Sequence, residues 1–405
     1  MPFHSKQPAR ISALVLDALA EVAGDLFHKH GDRRSAIVGE LSRMYTRERQ
    51  ALRVGYLDKP DHAAAYLTYF LPVNLSKIQV LLDELPLDTF AGHDGGKFSV
   101  LDLGSGPGTG AMAVLDWLHH RHRKVADALS VVAVDASPTA LQQGKRLWGH
   151  YCRETGQTGA GFLAHVGNLE HGLRGQVGDQ VKQTAPYDLI ILANCLNEIG
   201  AESIDPTGVQ ATLAADALAL LQPHGTLIVI EPALRETSRA LHRVRDRLVH
   251  EQGCTVYSPC LHERNCPALE HADDWCHEER AWEPPRHIQH IDQELGLIKD
   301  ALKFSYLLLR TDGRTIVTRH SQIFRIVSEM RILKGDMRAW LCNELGRGEV
   351  GRLDRALSPA NSGWDHGQRG TIVRITDIVR KERKGRESAV GRIPRDALVE
   401  IVRRT

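Results

Sequence analysis

Residues 100–118, VLDLGSGPGTGAMAVLDWL, constrain the fold more than any other part of the sequence. A β-like run ends at Asp102, the glycines Gly104, Gly106 and Gly108 punctuate a turn, and a helical pattern follows. Glycine lets a backbone approach a ligand closely, and the N-terminus of a helix offers free N–H groups. The segment therefore predicts a strand, a tight turn and a helix, with a ligand bound at the turn.

Short β-rich runs alternate with helical stretches from Phe98 onward. The runs are SVLDLG, LSVVAVDAS, YDLIILAN and GTLIVIEPA. Their spacing is typical of βα units on a parallel sheet, so the pattern predicts an α/β fold. Two later strand-like segments, FSYLLLR and SQIFRIVSEMRIL, are expected to complete the same sheet.

A chain of 405 residues suits two or three domains. Apolar residues recur at helical spacing near both ends of residues 1–95, which predicts an N-terminal helical region that Pro72 kinks or breaks. Residues 96–335 are expected to form a Rossmann-like domain with a cysteine-rich insertion at 254–287. Short β-like pieces separated by glycines predict a small basic β-rich extension at 336–405.

The formal net charge of +1 gives the chain no global attraction to nucleic acid, so any such contact needs a local basic patch. Residues 310–338 contain seven Lys and Arg but only three Asp and Glu. Residues 371–405 contain ten Lys and Arg but only five Asp and Glu. This basic C-terminal third suits phosphate contacts, and equally suits solvated strand and helix faces.

No apolar run approaches the length that spans a bilayer, and the N-terminus lacks a secretory pattern. Asp17 and Glu21 on the first amphipathic helix argue against a mitochondrial presequence. We therefore expect a chain that starts near Met1 and works in a reducing cytoplasm of bacterial type, in preference to the mitochondrion.

The glycine turn resembles motif I of class I S-adenosylmethionine-dependent methyltransferases, because an acidic residue stands two places before alternating glycines and a proline. A dinucleotide site fits less well, since the strict G-x-G-x-x-G spacing is met only loosely. The resemblance implies a class I methyltransferase fold in which Asp135 holds the ribose, Asn168 lies beside the adenine and Asn194 borders the pocket. It assigns the rest of the cofactor site to Asp102, Gly104, Ser105, Gly106, Pro107 and Gly108. The alternative is a decayed site whose glycines only form the turn.

No catalytic acid or base follows from the sequence. The segment ANCLNEI after the fourth strand lacks the Asn/Asp-Pro-Pro-aromatic motif of enzymes that methylate base amino groups. Asn194, Asn197 and Glu198 are the candidates for the methyl-transfer pocket. Cys195 is a further candidate nucleophile, although a small buried core residue is the more usual role for such a cysteine.

Four of the chain's seven cysteines fall within residues 254–277, CTVYSPCLHERNCPALEHADDWCH. In a reducing compartment, clustered thiols are more typical of a metal site than of disulfides. Cys260, Cys266 and Cys276 suit zinc, with His262 or His277 as a possible further ligand, or an iron–sulfur cluster, which prefers thiolates alone. The fourth ligand is either the neighbouring Cys254 or the distant Cys342.

The segment SPCLHERNCPALEHADDWCHEERAW resembles the cysteine segment of a methyltransferase-like family of small-ribosomal-subunit assembly factors. That family occurs in mitochondria and bacteria and includes methyltransferase-like protein seventeen. AAYLTYFLPVNLSKIQVLLDEL, VLDLGSGPGTG, NEIG, FSYLLLR and a late LC appear in the family's order. Leu261 and Glu278 depart from the family's usual proline and aromatic residue, and neither is a ligand there.

The resemblance implies a 4Fe–4S cluster held by Cys260, Cys266, Cys276 and Cys342, with Cys254 as the reserve ligand. It also implies binding of S-adenosylmethionine and of small-subunit rRNA or the pre-30S particle by a chain that is monomeric when free. The pocket would either methylate rRNA or only sense the cofactor. Two other functions stay open: a non-catalytic RNA-binding scaffold or iron-sensing assembly factor, and a small-molecule methyltransferase with a structural zinc site.

Overall fold

The computed structural model describes residues 8–27, 34–49, 55–86, 88–91, 96–297, 300–383 and 385–404. Its helices are α1 (Ala13–Phe27), α2 (Arg34–Thr46), α3 (Pro60–Ala65), α4 (Leu71–Leu82), α5 (Asp88–Ala91), α6 (Thr109–Arg121), α7 (Arg123–Asp127), α8 (Pro138–Thr155), α9 (Gly175–Lys182), α10 (Pro206–Leu218), α11 (Arg235–Gln252) and α12 (Arg286–Leu295). Short 3₁₀ turns cover Tyr56–Asp58, Leu196–Glu198, Pro267–Leu269, Asp354–Ala356 and Pro359–His366, and Tyr66–Phe70 is π-helical.

Seventeen strands form the sheets of the described chain. They are β1 (Phe98–Leu103), β2 (Leu129–Asp135), β3 (Gly161–Val166), β4 (Tyr187–Ala193), β5 (Leu221–Pro232), β6 (Thr255–Ser258), β7 (Glu278–Ala281), β8 (Ala301–Arg310), β9 (Ile323–Ile326), β10 (Arg331–Leu333), β11 (Asp336–Asn343), β12 (Gly346–Leu353), β13 (Ile372–Ile375), β14 (Glu382–Arg383), β15 (Arg386–Glu387), β16 (Val390–Arg392) and β17 (Val399–Arg403).

The first sheet has the strand order β3-β2-β1-β4-β5-β8-β6, with β7 paired to the free part of β8. The strands β1 to β5 run parallel, and β8 is antiparallel to both β5 and β6. A parallel sheet whose late antiparallel strand inserts beside β5 is the class I methyltransferase fold, so the predicted fold class is confirmed. The strand order reverses between β1 and β4, which is where ligands bind in open α/β sheets.

Helices cover both faces of this sheet, as buried parallel strands require. On one face α1 and α4 pack over α6 and α8, and on the other face lie α10 and α11. Asp116 on α6 fastens the N-terminal helices, because its buried carboxylate accepts hydrogen bonds from Ser12 (2.6 Å), Gln79 (2.8 Å) and Tyr151 (2.8 Å). The N-terminal helical region is therefore a layer of the same core.

Pro72 does not break the helix in which it lies. Helix α3, the π-helical segment Tyr66–Phe70 and α4 follow one another with αR backbone at each junction. A proline ring clashes with the carbonyl of the residue four places earlier in a regular α-helix. The widened π turn just before Pro72 relieves that clash, so the expected kink takes the form of a local expansion.

A second sheet with its own core forms the C-terminal part of the chain. Its order is β16-β12-β11-β9-β13-β17, with β10 paired to β11. Trp364 is fully buried within this core and donates from Nε1 to the carbonyl of Met337 at 3.1 Å. The prediction that SQIFRIVSEMRIL completes the first sheet is wrong, because β9 and β10 within it pair with strands of the second sheet.

A buried ionic network joins the three parts of the chain. Glu84 of the helical layer pairs with Arg280 of the insertion at 2.6 Å, and Arg280 pairs with Glu278 at 2.9 Å. Glu278 in turn pairs with Arg325 of the second sheet at 2.6 Å. Each of these side chains is less than a tenth exposed, so the network fixes how the parts dock.

Candidate functional site

The glycine turn follows β1 at the point where the strand order reverses. Gly104, Gly106 and Gly108 have φ values of 67°, 54° and 78°, a region that other residues rarely adopt. A Cβ atom added to Gly104 would lie 2.5 Å from the Cβ atom of Cys195. Backbone conformation and space therefore both require glycine at position 104.

Asp102 shapes the glycine turn from inside. Its carboxylate is 2 % exposed and accepts hydrogen bonds from the Ser105 hydroxyl at 2.6 Å and from the Ala111 N–H at 2.9 Å. Burial raises the pKa of Asp102 to about 6. These bonds hold the turn against the first residues of α6.

Asp135 ends β2 beside the turn. Its two oxygens accept hydrogen bonds from the backbone N–H groups of Gly106 at 2.8 Å and Ser137 at 2.9 Å. Burial raises the pKa of this carboxyl. Asn168, after β3, accepts from the Glu170 N–H at 2.9 Å. Each oxygen of Asp135 keeps a further lone pair with which it can accept a hydroxyl.

The edge after β4 and β5 holds two carboxyls with raised pKa values. Glu231, at the end of β5, is 1 % exposed, and its Oε1 accepts from the Asn197 N–H at 3.3 Å. Burial raises the pKa of Glu231 to about 8, and burial raises the pKa of Glu198 to about 7. Arg49 lies near both carboxyls and donates to the side-chain oxygen of Asn197. The sequence signal for Glu231 was an acid at the end of the fifth predicted strand.

Asn194 and Cys195 link β4 to this edge. Asn194 has a φ of 59°, the only positive value of a non-glycine residue in the described chain, and strain of that kind is typical of functional sites. Cys195 donates to the Leu103 carbonyl at 3.3 Å, and burial raises its pKa well above the ordinary value. The thiol is thus partly buried and packs against the glycine turn and the core beneath it.

The N-terminal layer supplies a wall that sequence reasoning missed. The Asp58 carboxylate accepts from the Ser137 hydroxyl at 2.5 Å, and Leu57 lies 3.8 Å from a Cβ built on Gly106. The Tyr66 hydroxyl lies 3.5 Å from that of Thr109 at the start of α6. No local pattern in residues 55–66 indicated this contact, because it depends on the packing of distant helices.

The cysteine loop connects β6 to β7 and is fastened by α11. Arg239 donates to four backbone carbonyls of the loop: Ala268 (2.9 Å), Leu269 (3.4 Å), His271 (2.7 Å) and Asp274 (2.6 Å). The Asp246 carboxylate accepts from the Cys266 N–H at 2.9 Å. Helix α11 therefore determines where the loop places its thiols.

Cys260, Cys266, Cys276 and Cys342 line one cavity of about 50 Å³. The first three come from the loop, and Cys342 comes from β11 of the second sheet, with its sulfur 3.6 Å from Nε2 of His262. The volume is several times what one water molecule needs. Cys254 is buried in the hydrophobic core between the first sheet and α11 and does not line the cavity.

The family model described as mitochondrial small ribosomal subunit Rsm22 matches residues 60–352, which include the glycine turn and all four cavity cysteines. The chain belongs to the Rsm22 family. The resemblance drawn from the sequence is thereby confirmed. No curated protein matches the sequence.

Several solved methyltransferases are similar to this Rsm22-family chain at low identity. An O-methyltransferase family protein from Burkholderia thailandensis is 15 % identical, with a TM-score of 0.32, over 75 % of this chain and 71 % of that one. TrmN from Thermus thermophilus is 16 % identical, with a TM-score of 0.31, over 58 % and 48 % of the two chains. The glycopeptide N-methyltransferase MtfA in complex with S-adenosyl-L-methionine is 13 % identical, with a TM-score of 0.26, over 40 % and 55 %. The fold is defined by the strand order β3-β2-β1-β4-β5-β8-β6, in which β8 is antiparallel to β5.

The thiols of the Rsm22-family cavity influence one another. Burial raises the pKa of Cys276 to about 11, and burial together with the neighbouring thiols raises the pKa values of Cys266 and Cys342. In the described residues no group of three or more His, Cys, Asp or Glu side chains is arranged to hold a metal ion. The four thiols line the same cavity without forming such a group.

Part of the predicted basic surface lies inside the protein. Arg310 is fully buried and pairs with Asp312 at 2.5 Å, and Arg325 is buried against Glu278. These two residues are unavailable for phosphate, contrary to their inclusion in the basic stretch. Within the part of the chain that the structure describes, no helix is both long and apolar enough to cross a membrane. The family description names mitochondria, so the preference for a bacterial cytoplasm remains only a prediction.

Proposed function

We propose that this Rsm22-family chain is a small-subunit ribosomal factor that binds S-adenosylmethionine, holds a 4Fe–4S cluster and contacts small-subunit rRNA during assembly or translation. The observation that carries the proposal is the single cavity lined by thiols from the loop after β6 and from β11 of another sheet. A centre bound there would link the two sheets through covalent metal–sulfur bonds, and its binding energy would add to folding energy.

The donor set supports a cluster in preference to zinc. A structural zinc site takes four donors, often cysteine mixed with histidine, around one ion at about 2.1–2.3 Å. A 4Fe–4S cluster is held by thiolates alone, one to each iron atom, and four thiols line this cavity. Cys260, Cys266, Cys276 and Cys342 would hold it, and the cluster would supply a rigid, redox-active crosslink.

The glycine turn, Asp135 and the edge after β4 and β5 support cofactor binding. Positive-φ glycines occur where the strand order reverses, and Asp135 has lone pairs free for ribose hydroxyls. Asn194, Asn197 and Glu198 would border the methyl acceptor. Methyl transfer from a sulfonium needs mainly positioning, so the absence of an assigned base is compatible with catalysis.

The experiment begins with anaerobic purification, followed by assays of iron, acid-labile sulfide and visible absorbance. Equilibrium dialysis with labelled cofactor and transfer of the label to 30S particles then test the pocket, and crosslinking in cells tests the rRNA contact. Iron, cofactor binding, transfer and rRNA crosslinks together would support the full proposal. Binding without transfer would favour the non-catalytic scaffold, zinc without iron would favour the small-molecule enzyme, and no rRNA crosslink would reject the ribosomal role.

A further inference from the structure

The wall of the thiol cavity carries an excess of positive charge. Besides the four cysteines it includes Arg325, Arg347 and Arg369, against the single carboxylate of Glu278. The Glu278 carboxylate is engaged by Arg325 at 2.6 Å. Arg347 and Arg369 pair instead with carboxylates outside the lining, those of Asp274 and Glu279.

Arg347 is held rigidly next to one of the thiols. It lies on β12 directly opposite Cys342 in the β11–β12 register. Its guanidinium lies 5.2 Å from the ring centre of Trp340 and pairs with Asp274 of the cysteine loop. The Nε atom of Arg347 is nevertheless buried and has no hydrogen-bond partner among the described residues.

Arg369 is held in a similar way from the other part of the second sheet. Its Nη1 donates to the Val327 carbonyl at 2.9 Å, and its Nη2 lies 3.6 Å from the Glu279 carboxylate. The Nε atom of Arg369 is also buried without a partner in the described chain. Two arginines that line the cavity thus each keep one buried N–H that no described group accepts.

Such donors are costly to leave unsatisfied. A buried unpaired donor has lost its hydrogen bond to water without a replacement, and folded proteins rarely tolerate one without a reason. His277 also has an unpartnered Nδ1, but its Nε2 lies 3.0 Å from Glu279, which places the ring proton on Nε2 and leaves Nδ1 an acceptor. The two arginine Nε–H groups therefore still need a hydrogen-bond acceptor.

We propose that Arg347 and Arg369 donate hydrogen bonds to the sulfur atoms of the iron–sulfur centre and thereby raise its reduction potential and slow its loss of iron. This inference rests on the proposed function, since it needs a cluster in the cavity. Thiolate and sulfide sulfur are anionic acceptors for the two Nε–H groups, and hydrogen bonds to sulfur are a known determinant of cluster potential. Both arginines act as positioning and tuning residues, because the four thiols hold the iron.

The test compares Arg347→Gln and Arg369→Gln with wild type, all purified anaerobically as full-length chains. Arg243→Gln is the matched control, because it removes the same charge from an exposed position on α11. The readouts are the midpoint of a dithionite titration, in which one electron enters the cluster and no bond is formed, and the rate of iron transfer to a chelator. Arg347→Lys keeps the charge but removes the Nε–H, which separates the hydrogen bond from the charge.

We expect both Gln variants to show a more negative midpoint and faster iron loss, with Arg347→Lys between Arg347→Gln and wild type and the control unchanged. Midpoints and iron-loss rates equal to wild type in both Gln variants would overturn the inference while leaving the proposed function intact. A wild-type chain that holds no iron or sulfide would overturn the proposed function, and the inference with it.

Discussion

At the scale of single residues, the structure shows the contacts of side chains that the sequence could only place near the site. Gly104 is required both by its φ of 67° and by the Cys195 side chain against which it packs. The side chain of the candidate nucleophile Cys195 packs against Gly104. Glu231, which sequence reasoning did not select, is the most deeply buried carboxyl at the edge after β4 and β5.

Replacing Gly104 with alanine should disrupt the cofactor site. Positive φ and the 2.5 Å clash with Cys195 together should cost about 2–5 kcal/mol in the free energy of unfolding, and cofactor affinity should be lost. Gly156→Ala is the control, since Gly156 has a φ of 70° but open space around its Cβ position. Urea unfolding and equilibrium dialysis measure the two effects. Normal cofactor binding by Gly104→Ala would contradict the assignment.

The buried Glu231 should make stability fall as pH rises. Its folded-state pKa of about 8 lies above the unfolded value, so between about pH 5 and pH 8 the folded state binds the extra proton. This group alone should lower the unfolding free energy of wild type by about 1.4 kcal/mol per pH unit in that window. Glu231→Gln should lack this slope and gain stability over wild type towards pH 8. Urea unfolding across the pH range is the measurement, with the exposed Glu236→Gln as control; parallel curves for Glu231→Gln and wild type would rule the assignment out.

At the scale of secondary-structure elements, α11 organises the cysteine loop. The loop contains one 3₁₀ turn and no other regular structure between β6 and β7, so its backbone carbonyls need side-chain donors. Arg239 supplies several of them at once. The thiols of the loop depend on a helix that contributes no ligand.

Arg239→Met should loosen the loop without removing a ligand. We expect a loss of about 1.5–3 kcal/mol in unfolding free energy and faster hydrogen exchange in residues 266–276. Arg243→Met changes an exposed residue one turn along the same helix and should behave as wild type. Amide hydrogen exchange measured by mass spectrometry is the test. Unchanged protection of the loop in Arg239→Met would show that Arg239 does not stabilise it.

The elements show how far the sequence predicts this fold. The βα units were predictable because buried parallel strands are continuous apolar runs and the glycine turn marks the first crossover. The sheet to which Ile323–Ile326 belongs was not predictable, because strand propensity does not specify which strand a segment pairs with. The N-terminal wall over the glycine turn and the buried roles of Arg310 and Arg325 also depend on long-range packing. The sequence alone does not distinguish a basic residue that binds phosphate from one that pairs with a buried carboxylate.

At the scale of the whole molecule, two devices hold the second sheet to the first: the buried ionic network and the thiol cavity. The network passes from Glu84 through Arg280 and Glu278 to Arg325, and Glu278 lies two residues after Cys276. Docking of the parts and the geometry of the cavity are therefore set by neighbouring residues.

Arg325→Met should destabilise the chain strongly, by about 3–5 kcal/mol, because it leaves the Glu278 carboxylate buried with one partner fewer. The double variant with Glu278→Met should recover most of that loss, since no uncompensated carboxylate remains. Arg374→Met, which breaks an exposed pair with Glu400, should cost at most about 1 kcal/mol. Denaturant unfolding of the full cycle supplies the numbers, and additive losses in the double variant would argue against the network.

The central claim is that thiols from two distant segments share one iron–sulfur centre. The most direct measurement is the iron and labile sulfide content of anaerobically purified Cys342→Ala and Cys254→Ala beside wild type. We expect about four iron and four sulfide ions per chain in wild type and in Cys254→Ala, and a large loss in Cys342→Ala. Full occupancy in Cys342→Ala, or loss in Cys254→Ala alone, would contradict it.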